Sequence, residues 1–542
     1  MPKAFSVRLA EPLEVCRKTI CFVLEAICLI CALSACGSLL QVERNESHAI
    51  LNSAHTRLGK AIAPRLDAHS GMSGTYPLAE STDAFGARIG LARVAQQTLD
   101  LQYYIFNSDN TGLVLLGELL SAADRGVRVR LLLDDIHTGD LERVLATIAV
   151  HPNVEVRLFN PFIHRHARWL DAVTNFGRIN RRMHNKSLIA DNAAAIVGGR
   201  NIGDEYFGAK PDIDFSDLDM LMIGPVVSDV SAQFDAYWNS QVAYPVASLL
   251  DGPPPAADSL RELRVKIAEQ AQTMQDSVDA LDLETNELAS AIVSGQLPVF
   301  FWGSATVIAD PPVKVMLPPQ DRSEHAATQL VGILNQAKHE LVLVSPYFVP
   351  GNHGVQWLQG IAKRGVRIQV ITNSFAATDV RAVHAGYSRY REALLQAGIE
   401  LYEMKPSART MLARESRRHS LSGSSGSSRS SLHAKTYMVG QREVYVGSFN
   451  LDPRSARLNT EMGVVFESEP LCAKLRDSFV REILDVAYRV ELAAGPQSGG
   501  PRLVWVTREN HREVRYDSEP GVGLLQKLFL ELLRILPIED QL

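Results

Sequence analysis

The segment DRGVRVRLLLDD, beginning at Asp124, returns as KRGVRIQVITNS from Lys363, and this repetition restricts the fold more than any other feature of the chain. Around the first copy, TLDLQYYIF from Thr98 reads as a buried strand and GLVLLGELLSAADRG as a helix with apolar residues at helical spacing. VRVRLLLDD then reads as a second strand after a stop at Gly126. Around the second copy, HELVLVSPYFV, GVQWLQGIAKRG and VRIQVITNS repeat that order from His339. Strands joined by helices of this length predict parallel pairing, right-handed crossovers and helices on both faces of each sheet. The expected fold is therefore α/β, with two duplicated sandwich domains packed around a shared cleft.

Three consecutive prolines in DGPPPAADS break the chain between the halves. The first domain is expected over residues 76–244, a Pro-rich and helical connector over 245–297, and the second domain over 298–488. Residues 36–75 read as a linker with helical character. The Ser/Gly-rich stretch SRRHSLSGSSGSSRSS, 416–431, reads as a mobile loop running into the second domain's key strand. In the extension 489–542, Leu525, Leu528, Phe529, Leu532 and Leu536 share one helical face. That helix is expected to dock on the domain, because helices that lie on membranes usually carry more Lys and Arg opposite the apolar face.

With 542 residues, 46% of them hydrophobic, the chain can bury large cores, and a net charge of −6 argues against a protein that coats nucleic acid. Five of the six cysteines lie in the first 36 residues, so the folded body has no internal disulfide framework. Residues 1–35 read as a signal peptide, with Arg8, Arg17 and Lys18 ahead of the apolar run TICFVLEAICLICALSA. The sequence LSAC at its end resembles the lipobox of bacterial lipoproteins, which implies cleavage before Cys36 and acylation of its thiol. Gly37 and Ser38 follow where an inner-membrane lipoprotein would carry aspartate. The resemblance thus implies a membrane-anchored lipoprotein of the bacterial envelope, at the outer rather than the inner membrane.

Two further segments match in register. RRMHNKSLIADNAAAIVGGRN carries His184, Lys186, Asp191, Gly198, Gly199 and Asn201, and SLHAKTYMVGQREVYVGSFN carries His433, Lys435, Gly447, Ser448 and Asn450. The interval from histidine to asparagine is the same in both. If HNKSLIA and HAKTYMV are strands, each histidine and its lysine share a face. The following strand ends at an asparagine, with small residues, Gly199 and Ser448, that let a ligand approach the backbone. Two histidines, two lysines and two asparagines facing one cleft suit a phosphodiester. Lys186, Lys435, Asn201 and Asn450 can donate to its non-bridging oxygens, one imidazole can attack phosphorus, and the other can shuttle the proton of the leaving and incoming hydroxyls. That chemistry calls for no metal and no cofactor.

Read as HNKSLIAD and HAKTYMVG, these residues resemble the double HxKxxxxD motif of the phospholipase D superfamily. VGGRNIGDEYF, FSDLDMLMIG, GSFNLDPRSARLNTEMGVV and the terminal LPIEDQL are more closely similar to bacterial cardiolipin synthases of the C type. The resemblance implies two phospholipase D-like domains and metal-independent transphosphatidylation through a phosphohistidine. It implies a membrane and phospholipid substrates, phosphatidylglycerol as acceptor with phosphatidylethanolamine or a second phosphatidylglycerol as donor, and in some members an accessory protein. An acidic residue after each motif is implied to orient its histidine, at Asp219 and Glu461, with Asp217 as the alternative to Asp219. Gly440 stands where the second motif's aspartate is expected, which bears on the rigidity of that site more than on its chemistry. His184, whose motif is complete, is expected to be the nucleophile. Other readings of the same cleft are a hydrolase releasing phosphatidic acid, a nuclease, which the acidic chain disfavours, and a non-catalytic lipid-binding envelope protein.

Weaker signals surround these motifs. Arg178, Arg181 and Arg182 precede the first and Arg414, Arg417, Arg418 and Arg429 the second, where they could meet anionic head groups. His164 and His166 lack the partners of a metal site. Asp134 and Asp135, at a strand's carboxyl end, are expected to cap the following turn. Tyr347, Phe348 and Trp357 are expected in core or cleft wall.

Overall fold

The structure, a computed structural model, describes residues 42–209, 213–250, 252–276, 286–320, 325–406, 429–481, 483–494, 500–535 and 539–542. The leader with Cys36, Arg414, Arg417, Arg418, most of the Ser/Gly-rich stretch and Leu536 lie outside the described residues.

Ten strands come before the crossing into the second half: β1 (Ser73–Leu78), β2 (Thr98–Tyr103), β3 (Arg128–Asp134), β4 (Val154–Phe159), β5 (Ser187–Ala190), β6 (Ala194–Gly198), β7 (Ile213–Ser216), β8 (Asp219–Ile223), β9 (Ala243–Pro245) and β10 (Phe301–Gly303). Eleven follow: β11 (Ala305–Ala309), β12 (Glu340–Val344), β13 (Arg367–Asn373), β14 (Glu400–Met404), β15 (Arg429–Leu432), β16 (Thr436–Val439), β17 (Glu443–Gly447), β18 (Met462–Glu467), β19 (Ala487–Ala493), β20 (Arg502–Glu509) and β21 (Arg512–Tyr516). They form a nine-stranded sheet in the order β10-β1-β8-β6-β5-β2-β3-β4-β9 and a ten-stranded sheet in the order β11-β18-β17-β16-β12-β13-β14-β19-β20-β21. Read from β1 and from β11, the two orders match strand for strand through β9 and β19, so the duplication extends to the whole sheet. The passage between the sheets falls at Ser304, because β10 joins the first sheet at the edge of β1.

Within the two large sheets, pairing is parallel only among β2, β3 and β4 and their counterparts β12, β13 and β14. Those are the strands linked by helices, among them Asn110–Asp124 and Gly351–Ala362, as the sequence predicts. The expectation of parallel pairing does not extend to the strands around them. β5 and β6, like β16 and β17, are joined by turns of three residues, and so short a connection permits only antiparallel pairing. Gly126 and Gly365 follow the two repeat helices with φ of 90° and 84°, a left-handed conformation that glycine adopts without a Cβ penalty.

The two sheets face each other. Ile189, Ala195 and Val197 of β5 and β6 meet Met438, Val444 and Val446 of β16 and β17 in one central core. The alternating residues Leu188, Ala190 and Ile196, or Tyr437, Val439 and Tyr445, pack outward beneath helices. Burial on both faces explains why SLIA and TYMV carry so little polar alternation. It also puts both histidine-lysine motifs on the seam between the halves. A short parallel ladder of β7 with β15 and a bridge between Met183 and Thr460 stitch that seam at the level of the histidines.

Candidate active site

His184 and Lys186 lie just ahead of β5, and His433 and Lys435 just ahead of β16; all four are buried. Backbone bonds across the seam set their heights. His184 N donates to Thr460 O at 2.9 Å and His433 N to Ser216 O at 2.8 Å. The acceptor in each case immediately precedes a carboxylate of the opposite half. Thus His184 Nδ1 lies 2.9 Å from Glu461 Oε2, and His433 Nδ1 lies 2.5 Å from Asp217 Oδ2. Each half supplies the residue that orients the other half's imidazole. With Nδ1 held, Nε2 is the ring nitrogen left for chemistry on each histidine.

Asp217, the alternative in the sequence, occupies the position beside the second histidine; Asp219 does not. Its carboxylate meets Arg88 Nη2 at 2.8 Å and Arg200 Nη1 at 3.4 Å, in a buried ion-pair cluster under the sheet. The physical reason is where the strand begins: β8 starts at Asp219, so Asp217 lies in the break between β7 and β8 and escapes the period of two that would have put both carboxylates on one face. Asp219 opens β8 opposite Gly198, where an added Cβ would come within 2.1 Å of its Oδ1, while a Cβ on Gly199 would come within 2.2 Å of Asp217 Oδ1. The two glycines thus admit the two aspartates rather than a ligand.

Several other expected site residues support the cleft from behind. Asp191 lies at the far end of β5 from His184, and its carboxylate accepts from the backbone N–H groups of Gln96, Gln97 and Thr98. Ser448 Oγ donates to Glu461 Oε2, the oxygen that also holds His184, and accepts from Met462 N, so it fixes the carboxylate instead of facing substrate. Asn201 has both polar atoms engaged, Nδ2 with the Tyr206 hydroxyl and Oδ1 with Ile105 N. Asn450 differs, since its buried Oδ1 has no hydrogen-bond partner.

The lysines are braced by their own motifs. Lys186 Nζ donates to His184 O at 2.6 Å, and Lys435 Nζ donates to His433 O at 2.5 Å and lies within 3.2 Å of the His433 ring nitrogens. Tyr104 stands edge-on to His184, 4.9 Å between centroids, with Lys186 Nζ 5.3 Å from its ring centre. Tyr206 and Phe215 flank His433.

Burial and mutual repulsion make the site hungry for an anion. Burial, then each other's charge in the case of Lys186, holds both ammonium groups below the usual lysine range, and His184 is pushed well below its ordinary value by burial and by both lysines. The carboxylates diverge. Burial pushes Glu461 up to about 7 against the pull of Lys186. Burial also opposes the charge of Asp217, but His433 and then Lys435 outweigh it and hold that carboxyl well below its usual range. Burial and Lys435 also hold His433 below its ordinary value, but there the ionised Asp217 pulls the other way, so of the two rings His433 is the better supported as an imidazolium and His184 the more firmly neutral.

Three supporting residues escaped the sequence reading or were read too narrowly. Asp134 does cap its turn through Ile136 N, but its other oxygen accepts from Met183 N and meets Arg182, fixing the backbone that leads into His184. Asp310 accepts from Glu461 N, donates its own N–H to Glu461 O and pairs with Lys314 at 2.9 Å. Tyr104 follows a strand of ordinary core residues. Proximity to a strand's carboxyl end was the one signal available for Asp134 and Tyr104. Of the remaining candidates, His164 pairs with Asp171, Tyr347 donates to Asp379, Phe348 is core, and Trp357 donates to Asn335.

Paired sheets with a histidine-lysine motif from each half at their seam define a phospholipase D-like protein. A family model described as "Cardiolipin synthase, PLD-like domain" matches residues 89–238 and 330–483, and the chain belongs to that family. Cardiolipin synthase C of Escherichia coli K12 is 41% identical over 483 residues, covering 89% of this chain and 99% of the relative. An uncharacterised protein of Helicobacter pylori J99 is 31% identical over 486 residues, covering 89% of this chain and 92% of its own length. Among solved structures, phosphatidylserine synthase of Haemophilus influenzae superposes with a TM-score of 0.53 at 14% identity, covering 89% of this chain and all of its own, which establishes a common fold.

Proposed function

We propose that this chain is a phosphatidyltransferase that makes cardiolipin, carrying the phosphatidyl group on His184 and delivering it to the primary hydroxyl of a phosphatidylglycerol head group. The observation that carries the reading is the crossed pairing of His184 with Glu461 and His433 with Asp217. In the first step Nε2 of His184 attacks phosphorus and the bond from phosphorus to the donor's head-group oxygen breaks. That oxygen takes a proton from His433, whose imidazolium Asp217 supports. In the second step the acceptor hydroxyl gives its proton to His433 as its oxygen attacks phosphorus, and the phosphorus–nitrogen bond breaks to restore His184. Lys186 and Lys435 bind the non-bridging oxygens, where negative charge accumulates at the pentacoordinate stage. Their positive charges perform the neutralisation that a metal ion performs in other phosphoryl-transfer sites.

The same reading includes work at a membrane. Among the described residues no helix is long and apolar enough to cross one. Tethering is assigned to the leader and Cys36, with the protein a lipoprotein of the bacterial envelope, preferentially at the outer membrane. A Cys36→Ser variant that no longer incorporates labelled palmitate supports the anchor; unchanged incorporation removes it.

The reaction is tested by incubating the full chain with labelled phosphatidylglycerol in mixed micelles containing excess EDTA, with and without phosphatidylethanolamine, and resolving the lipids by mass spectrometry. Cardiolipin formed by the wild type and by neither His184→Ala nor His433→Ala supports the proposal, and dependence on phosphatidylethanolamine identifies the donor. Phosphatidic acid as sole product makes the protein a hydrolase. No turnover by the wild type points to an accessory protein or to a non-catalytic lipid-binding role, separated by adding envelope extract.

A further inference from the structure

The described body of the chain leaves several large apolar side chains in water, and they gather on elements tied to one another beside the site. On the helix Arg168–Thr174 and the short helix Phe176–Ile179 that follows it, Trp169 is 68% exposed, and Val173 and Phe176 are more than half exposed. The terminal helix Leu524–Ile535 does dock, but through Leu530 and Leu533 against Phe375 and Ala385, and not through the face of Leu525, Leu528, Phe529 and Leu532 that the sequence singled out. The other side of that helix remains bare, with Leu525 81% exposed and Leu528 and Leu532 more than half exposed. Met316, also exposed, follows a turn whose Val315 carbonyl accepts from Arg181.

Hydrogen bonds link these faces to the cleft. Asn180, which ends the helix Phe176–Ile179, donates to Gln541 just beyond the terminal helix at 2.6 Å. Arg454, four residues past Asn450, reaches both the Gln541 carbonyl and Asn180. These bonds tie the end of the short helix and the chain beyond the terminal helix to the segment that follows Asn450. Between Phe176 and His184 stand the half-buried Arg178 and Arg181, whose charges lie behind the apolar face, whereas Arg182 is buried against Asp134. Lys527 is exposed on the terminal helix beside Leu528. Apolar residues tipped by a tryptophan, with cationic groups set behind them, match the boundary between acyl chains and anionic head groups.

We infer that this rim, led by Trp169 and Phe176 on one side and Leu525, Leu528 and Leu532 on the other, docks the protein on an anionic phospholipid bilayer with the cleft facing the lipid. The inference rests on the proposed phosphatidyl transfer for its choice of a lipid surface. It adds a function the anchor does not supply. An acylated cysteine confines the protein to a membrane without orienting it, whereas the rim aims the cleft so that a head group enters without its acyl chains leaving the bilayer.

The experiment uses the full chain reconstituted in phosphatidylcholine vesicles with or without phosphatidylglycerol, with bromine on the acyl chains as a fluorescence quencher. Trp169 is the only exposed tryptophan, the other four being buried or half-buried, so quenching reports its depth. The expected result is quenching that strengthens with phosphatidylglycerol and disappears in Trp169→Phe. Double variants Trp169→Ser/Phe176→Ser and Leu525→Ser/Leu528→Ser are expected to turn over vesicle-borne lipid about tenfold more slowly while processing a soluble short-chain phosphatidylglycerol like the wild type. Equal quenching in wild type and Trp169→Phe overturns the inference and leaves the faces to a protein partner. Equal loss on both substrates overturns it as well, by assigning the effect to a damaged site. If the wild type turns over neither substrate yet Trp169 is quenched, the docking face stands and the transfer reaction fails.

Discussion

Glu461, in the second half of the chain, holds Nδ1 of His184, in the first, at 2.9 Å across the seam between the sheets. Because burial pushes this carboxyl up to about 7, it is neutral below that pH and charged above it. Only the charged form stabilises the positive imidazole ring that results when His184 attacks phosphorus. Turnover is therefore expected to fall about tenfold per unit as pH drops below about 7. Glu461→Gln should be about a hundredfold slower at pH 8 and show no such limb. A pH–rate profile of wild type and variant checks this; an acid limb that persists in Glu461→Gln belongs to another group.

The two histidines are expected to fail differently. A phosphatidyl ester of p-nitrophenol has a leaving group that departs without a proton. His433→Ala should thus lose about a thousandfold on phosphatidylglycerol and far less on that ester, whereas His184→Ala should lose both. Intact-mass analysis of His433→Ala with the ester should find the phosphatidyl adduct on His184. The opposite pattern reverses the assignment of nucleophile and acid.

Asp217 and Asp219, two residues apart, should separate activity from stability. Asp219→Asn leaves the buried guanidinium groups of Arg88 and Arg200 short of their counter-charge and is expected to cost about 3–5 kcal/mol in urea unfolding, with normal turnover per folded molecule. Asp217→Asn should cut turnover about a hundredfold by weakening support of His433. Similar unfolding curves for the two variants count against this division.

Gly440 and Asp191 occupy equivalent turns, with φ of 62° and 53°, and the N–H of each bonds the first residue of the neighbouring strand, Glu340 or Thr98. Glycine adopts that conformation freely, so the second turn stands without a carboxylate. Gly440→Asp is expected to leave turnover within about twofold, since nothing lies near its added Cβ. Asp191→Ala should destabilise by roughly 1–3 kcal/mol, because three backbone N–H groups lose their acceptor, with chemistry per folded molecule intact. Thermal unfolding combined with turnover corrected for the folded fraction tests both.

Local pattern along the chain determined the duplication, the strand-helix-strand units around Gly126 and Gly365, and the two histidine-lysine pairs. Each depends on residues close in sequence, through the periods of strand and helix and the left-handed stop of glycine. What the sequence left open was the partner across space. A period of two would put Asp217 and Asp219 on one face, and only the break between β7 and β8 decided that Asp217 faces the cleft while Asp219 goes to Arg88 and Arg200. Likewise, nothing local marked Asp310 as the clamp on Glu461, or Ser448 as its donor rather than a ligand to substrate. The crossing of carboxylates between halves arises from docking two sheets through a common core, and such docking is fixed by packing among residues hundreds of positions apart, which no periodicity along one strand records.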